Sequence, residues 1–332
     1  MINIFTTTSI GGRENNQDRY ACHKFSTVSP QKSGEVFLTV VMDGMGGHSS
    51  GDWYAESGIR FIVSRIAGII AQADLQVRKS GDDFGVALEK ELEAEKDGFF
   101  GQINYDLAMD AEKKGIQIGG TTASLCLIYE NKAFFLNTGD SPIYRYNEIS
   151  ETAEEIGVRD NQAEALFREG SIERGSDEYY YNSSMLLSFL GKSTESRLSA
   201  KIDPHFAIRE LSEGDVILLG SDGAFGNEIL SADALAVFLS TVPNVRYYHK
   251  ELLSKASYST DDNQTLAVIR YVKPADGSSA PSAGGARGAA IGTAQEAQNN
   301  AIPQPAKECY QEEKDRETTQ KTTRGWLNFG KH

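Results

Sequence analysis

Residues 40–52 read VVMDGMGGHSSGD. The apolar run FLTVVM (37–42) stops on Asp43, and Gly44, Gly46 and Gly47 leave the following backbone nearly bare. Asp-Gly alone is a common turn signal. A strand aimed at the core is a costly place for a carboxylate, because burying an unpaired ion costs several kcal/mol. The glycines also suggest a nucleotide-binding loop, but the GxGxxG spacing fails at Ser49 and no P-loop lysine follows.

Outward from this point, segments 2–8, 19–25 and 35–42 are rich in β-branched and aromatic residues and predict strands. From Asp52 the period changes: Ile59, Ile62, Val63, Ile66, Ile69 and Ile70 mark one face of a helix, with Ser49 or Ser50 as its cap. A second, more charged helical region over 83–114 is expected to break near Gly98 and Gly101. Residues 119–130 return to strand, Asn131-Lys132 predict a turn, and 133–140 with 142–146 read as a continuing antiparallel meander. The polar, acidic stretch 147–185 reads as an insertion or flap. Order returns at 185–191, followed by strands at 204–211 and 216–220, helices near 231–240 and 245–257, and a last strand at 264–272. Meandering strands with paired helices predict a layered α+β domain rather than a parallel doubly wound one.

The chain of 332 residues is long enough for a large core. After Lys273 the composition breaks: four of the eight prolines and the run SSAPSAGGARGAAIG fall in 274–332. The expected division is a domain over 1–273 and a disordered tail over 274–332. The tail's GWLNFGKH could serve as a docking peptide, but scattered apolar residues at a frayed terminus are the favoured explanation. Three cysteines without a CxxC pair argue against a disulfide framework or a thiolate zinc site. A net charge of -14 disfavours nucleic acid and anionic lipid as partners. With no export signal at residues 1–18 and no apolar run near the ~20 residues of a membrane span, a cytoplasmic location is expected.

The Asp43 pattern recurs. Asp18, Asp140 and Asp222 also lie beside turn formers at the ends of β-like runs, and Asp262 immediately precedes the last strand. Strand ends of one sandwich can converge on a single edge, and carboxylates gathered there call for cations. Hard oxygen donors without histidine or thiolate select Mg²⁺ or Mn²⁺. Gly44, lacking a side chain, lets its carbonyl approach such an ion. Two ions ~4 Å apart activate a water for in-line displacement at phosphorus. Arg13, just ahead of Asp18, could grip two phosphate oxygens, or be only a surface charge.

In order, RENNQD (13–18), MDGMGGHSSGD (42–52), GGTTASL (119–125), NTGDSPIY (137–144), LLGSDG (218–223) and DDNQTLAVI (261–269) resemble the PP2C-type, metal-dependent protein serine/threonine phosphatases, particularly bacterial members. The resemblance implies a four-layer αββα sandwich of two antiparallel β-sheets flanked by helices, with a dinuclear centre at one end. It implies that Asp43 bridges two ions, that the Gly44 carbonyl, Asp222 and Asp262 complete their ligands, and that Asp18 acts directly or through water. Asp140 with Asp222 resembles a pair holding a third, weaker ion, and Arg13 matches the phosphate-binding arginine. The implied partners are phosphorylated proteins and a cognate Ser/Thr kinase, with the enzyme itself a monomer.

Three features depart from the pattern. Gln17 stands where many members carry glutamate, Met45 where animal members have a histidine proposed as general acid, and 147–185 lacks the T-x-DHS element. His48 is the nearest alternative acid, but a lone histidine is more often structural, so water is expected to protonate the leaving oxygen. A pseudophosphatase acting as a binding module and a two-metal hydrolase of small phosphate esters stay open as alternatives.

Overall fold

The computed structural model describes residues 1–27, 34–46, 50–192, 202–227 and 229–273. His48, Ser49 and the segment 274–332 lie outside the described residues. The elements run β1 (Ile2–Ser9), β2 (Arg19–Ser26), β3 (Glu35–Met42), β4 (Gly44–Gly46), α1 (Ser50–Ser80), α2 (Phe84–Lys114), β5 (Gly119–Thr121), β6 (Ala123–Tyr129), β7 (Lys132–Thr138), β8 (Ile143–Asn147) and β9 (Thr152–Glu155). They continue with α3 (Gln162–Arg168), α4 (Asp177–Ser183), β10 (His205–Glu210), β11 (Asp215–Gly220), α5 (Asp222–Phe225), α6 (Ala232–Ser240), α7 (Tyr248–Ala256) and β12 (Gln264–Tyr271).

Two five-stranded antiparallel sheets, β1-β12-β11-β8-β9 and β10-β7-β6-β3-β2, form the middle of the molecule. The period of two along each strand sorts side chains into layers. Val36, Leu38, Val40 and Met42 of β3 pack against α1 and α2, whereas Val41 joins Cys126, Ile217, Leu219, Ala267 and Ile269 between the sheets. On the other sheet Val216, Leu218, Leu266 and Val268 face α6 and α7. Strands buried on both faces read as unbroken apolar runs, which is why FLTVVM and VILLG are so hydrophobic. The αββα expectation is borne out.

The predicted helix face of α1 is largely buried through Ile62, Ile66, Ile69 and Ile70, extended by Tyr54, Ala73 and Val77. Ile59 and Val63 lie at its border, partly buried. Helix α2 differs from expectation in running without a break through Gly98 and Gly101. Each glycine costs about 1 kcal/mol of helix propensity. Phe99, Phe100, Ile103 and Leu107, all buried, contribute about 1.5–3 kcal/mol apiece, so packing prevails. Asp83 caps its start by accepting from the Gly85 and Val86 amides, and Gly115 ends it in the left-handed region at φ 65°.

Three further readings are corrected. The turn falls on Glu130-Asn131, so that Lys132 already pairs with Tyr129. β7 and β8 are not neighbours in a meander: they belong to different sheets, and the connection through Asp140 crosses the sandwich. The stretch 147–185 begins as sheet rather than flap, since β9 pairs with β8; α3, α4 and their loops follow it.

Candidate metal centre

Strand register explains why distant aspartates meet. Arg19 pairs with Met42, which sets Asp18 beside Asp43 at one end of the β2–β3 pair. Gly220 pairs with Leu266, which brings the Asp222 turn alongside the segment leading from Asp262 into β12. Gly220 also donates its amide to the Pro142 carbonyl at 3.3 Å, bringing the Asp140 crossover to the same edge.

Asp18 is 3% exposed. Ser221 Oγ donates to its Oδ2 at 2.7 Å, while Oδ1 is buried without a hydrogen-bond partner. Desolvation pushes Asp18 up to about 7, with the charges of Asp222 and Asp262 adding to the rise and the Ser221 and Thr265 hydroxyls opposing it. Desolvation likewise pushes Asp140 up to about 7, helped by Asp222 and opposed by Asn161 and Arg159. Asp43 is raised well above the carboxylate range by desolvation and then by Asp18, Asp222, Asp140 and Asp262. Asp222 opens to solvent at the rim, yet the protein around it still desolvates and raises it, with Asp262 adding. Beyond burial, Asp43 is raised by the charges of Asp18, Asp222, Asp140 and Asp262, and Asp222 raises both Asp18 and Asp140, a crowding that divalent cations relieve.

The remaining parts line a cleft of about 600 Å³ that includes Arg13, Gln17, Asp43, Gly44, Met45 and Asp262. Arg13 forms a fork on Asp262, with Nε to Oδ1 at 3.1 Å and Nη2 to Oδ2 at 2.9 Å. Its side chain is 58% exposed, so the guanidinium stays at the cleft surface. A Cβ on Gly44 would stand 2.3 Å from the Gly51 carbonyl oxygen and 2.6 Å from that of Gln17, so only glycine fits. Gln17, in the position the resemblance gives to glutamate, donates its side-chain Nε2 to the Gly46 carbonyl at 3.2 Å.

Among the described residues no three Asp, Glu, His or Cys side chains stand close enough to hold an ion as placed. The donor chemistry nevertheless fits hard divalent cations: an orphaned buried oxygen on Asp18, aspartates raised by burial and by neighbouring aspartates, and a bare carbonyl at Gly44.

Reading the sequence missed Asn263 and Ser221. Asn263, 6% exposed, accepts the Gln17 amide at 2.9 Å and donates to the Ile10 and Asn15 carbonyls at 2.8 and 3.0 Å. It thereby pins the loop bearing Arg13 to the start of β12. The signal was its place directly after Asp262, just as Ser221 directly precedes Asp222.

The two helix-flanked antiparallel sheets are the fold seen in bacterial PP2C-type phosphatases. No family profile matches the chain. It is 24% identical over 274 residues to a Streptococcus pyogenes protein named as a protein phosphatase of the 2C type, covering 80% of this chain and 96% of that one. The S. agalactiae serine/threonine phosphatase structure shares the fold at TM-score 0.58 and 21% identity, covering 81% and 99% of the two chains. The catalytic domain of the phosphatase PstP, in complex with two manganese ions, matches at TM-score 0.53 and 22% identity over 81% and 97%. These relatives are bacterial, as the sequence motifs implied.

Proposed function

We propose that the chain is a Mg²⁺- or Mn²⁺-dependent phosphatase that hydrolyses phosphoserine and phosphothreonine on proteins. The observation that carries this reading is the set of aspartates on one sandwich edge, each raised by burial and then by a neighbouring aspartate, with Asp18 Oδ1 buried unpartnered. Asp18, Asp43, the Gly44 carbonyl, Asp222 and Asp262 would hold two ions, with Asp140 and Asp222 available to a third. When bound, the ions supply Lewis-acid activation of water and stabilisation of phosphoryl oxygens.

The chain's own residues do the rest. Arg13 binds the substrate phosphate, its guanidinium steadied over the cleft by Asp262. Ser221 fixes the Asp18 carboxylate, and the Gly223 amide, 2.6 Å from Asp222 Oδ1, fixes that of Asp222. No phosphoenzyme is needed: the Cys126 thiol is buried and pushed up, and no cysteine or histidine is among the described residues lining the cleft.

The reading extends to a catalytic domain over 1–273 with α3 and α4 as its flap, phosphoprotein substrates made by an opposing kinase, a monomeric state and a cytoplasmic site of action. No helix of the described residues is long and apolar enough to cross a membrane. The test is phosphate release from phosphothreonine peptides and from nucleotides, with Mn²⁺ or with EDTA. Peptide hydrolysis that requires the metal supports the proposal. Turnover undiminished by EDTA, or confined to nucleotides, overturns it, and tight peptide retention without turnover would leave a binding module.

A further inference from the structure

One residue outside the aspartate set touches two of the segments that carry it. Thr122, 1% exposed, occupies the break between β5 and β6. Its amide donates to the Asp43 carbonyl at 2.9 Å, and its Oγ1 accepts from the Asp43 amide at 3.0 Å. Both peptide groups of Asp43 are therefore tied to the same residue. The Thr122 hydroxyl also pairs with Ser141 Oγ at 2.7 Å, next to Asp140. Its methyl packs over Gly139, where a Cβ would stand 2.7 Å from Thr122 Cβ and Cγ2. Gly139 has φ 92°, so the crossover there is shaped for glycine and closes against Thr122.

We propose that Thr122 is a positioning residue that sets the carboxylate of Asp43, on one sheet, in register with that of Asp140, on the crossover to the other. This rests on the metal-phosphatase reading and adds a residue to it. A hydroxyl has one proton and two acceptor sites, enough to serve the Asp43 amide and Ser141 together. Valine keeps the shape and the backbone amide but serves neither. Side chains that orient metal ligands typically govern about 10–100-fold in metal affinity.

The experiment is Mn²⁺ titration of metal-free protein by calorimetry, with thermal melting alongside, for the parent, Thr122→Val, Thr122→Ser and Thr39→Val. Thr39 is a buried threonine in the middle of β3, remote from the edge, and controls for the loss of any buried hydroxyl. Thr122→Val is expected to weaken Mn²⁺ binding about 10–100-fold. Thr122→Ser is expected to restore Mn²⁺ binding, and Thr39→Val to lower the melting temperature while leaving Mn²⁺ affinity unchanged. Should Thr122→Val fail to fold, Ser141→Ala breaks the same hydroxyl pair from the other side and is expected to weaken binding in the same direction. Unaltered affinity in Thr122→Val, or in Ser141→Ala where that variant takes its place, overturns the proposal, as does a Thr122→Ser variant as weak as valine. A parent that binds no Mn²⁺ overturns the metal reading itself, a different result from a parent that binds and a variant that binds equally well.

Discussion

Glycine has opposite meanings at the aspartate edge and in the outer helix layer. At Gly44 a Cβ would collide with two backbone carbonyls, whereas at Gly98 and Gly101 in α2 it would meet nothing within 4 Å. At the edge, backbone approaches backbone and the missing side chain is a condition of the geometry. In α2 the glycines are a propensity cost that four buried neighbours override. Glycine thus marks structure where two remote chain segments close on each other, or where the backbone turns left-handed as at Gly115, and at Gly98 and Gly101 neither condition holds.

The largest effects should come from breaking the edge. Asp43→Asn and Asp222→Asn are each expected to lower metal-dependent turnover of a phosphopeptide by more than about 100-fold, beyond what residues merely adjoining ligands govern. Circular dichroism should remain that of the parent, because asparagine keeps the side chain's size and removes a carboxyl whose ionised form burial disfavours. Gly44→Ala should be comparably inactive for a steric reason. Full activity in either asparagine variant would break the contrast between edge and helix layer.

How far the sequence reveals this contrast depends on what local pattern can carry. β3 was legible to the residue because its burial on both faces leaves an unbroken apolar run ending at Met42. The aspartates were legible because Asp43 and Asp222 each end such a run. The sheet to which β8 belongs was not legible, since IYRY fits either partner and only the Asp140 crossover decides. Nor was the continuity of α2, where tertiary packing outweighs two glycines. The tasks of Asn263 and Thr122 were hidden because their partners are backbone groups far away in the chain.

Intermediate effects sharpen the account of the edge. Arg13→Ala should raise KM for a phosphopeptide about 10–100-fold, the worth of a charged hydrogen-bond pair of about 1.5–3 kcal/mol. Its melting temperature should scarcely move, because the Arg13–Asp262 pair is well exposed. An unchanged KM would leave Arg13 a surface charge. Next is pH. Asp18 and Asp140 titrate at about 7 when folded against an ordinary 3.8. Between those values the folded chain holds more protons than the unfolded one, so their contribution to stability falls as pH rises through the window. Metal-free parent compared with Asp18→Asn should show this as a difference in unfolding free energy that narrows from about pH 7.5 to about pH 5, by on the order of 1 kcal/mol or more. A difference that widens toward acid would mean that Asp18 is stabilised by its surroundings as an ion.

The smallest effect has the opposite sign. Gly98→Ala and Gly101→Ala place a methyl where nothing lies within 4 Å, in a helix already capped by Asp83 and Gly115. Alanine restricts the unfolded chain and favours the helix, so each change should stabilise by about 0.5–1 kcal/mol. In a domain of this size that corresponds to roughly 1–4 °C in melting temperature. Phosphatase activity should not respond, since α2 packs on the face of the sheet while the aspartates lie on its edge. If either alanine destabilised the protein, α2 would need its glycines for a reason other than sequence economy. If either changed turnover with stability raised, the outer layer and the aspartate edge would be coupled, and the contrast between the two kinds of glycine would not hold.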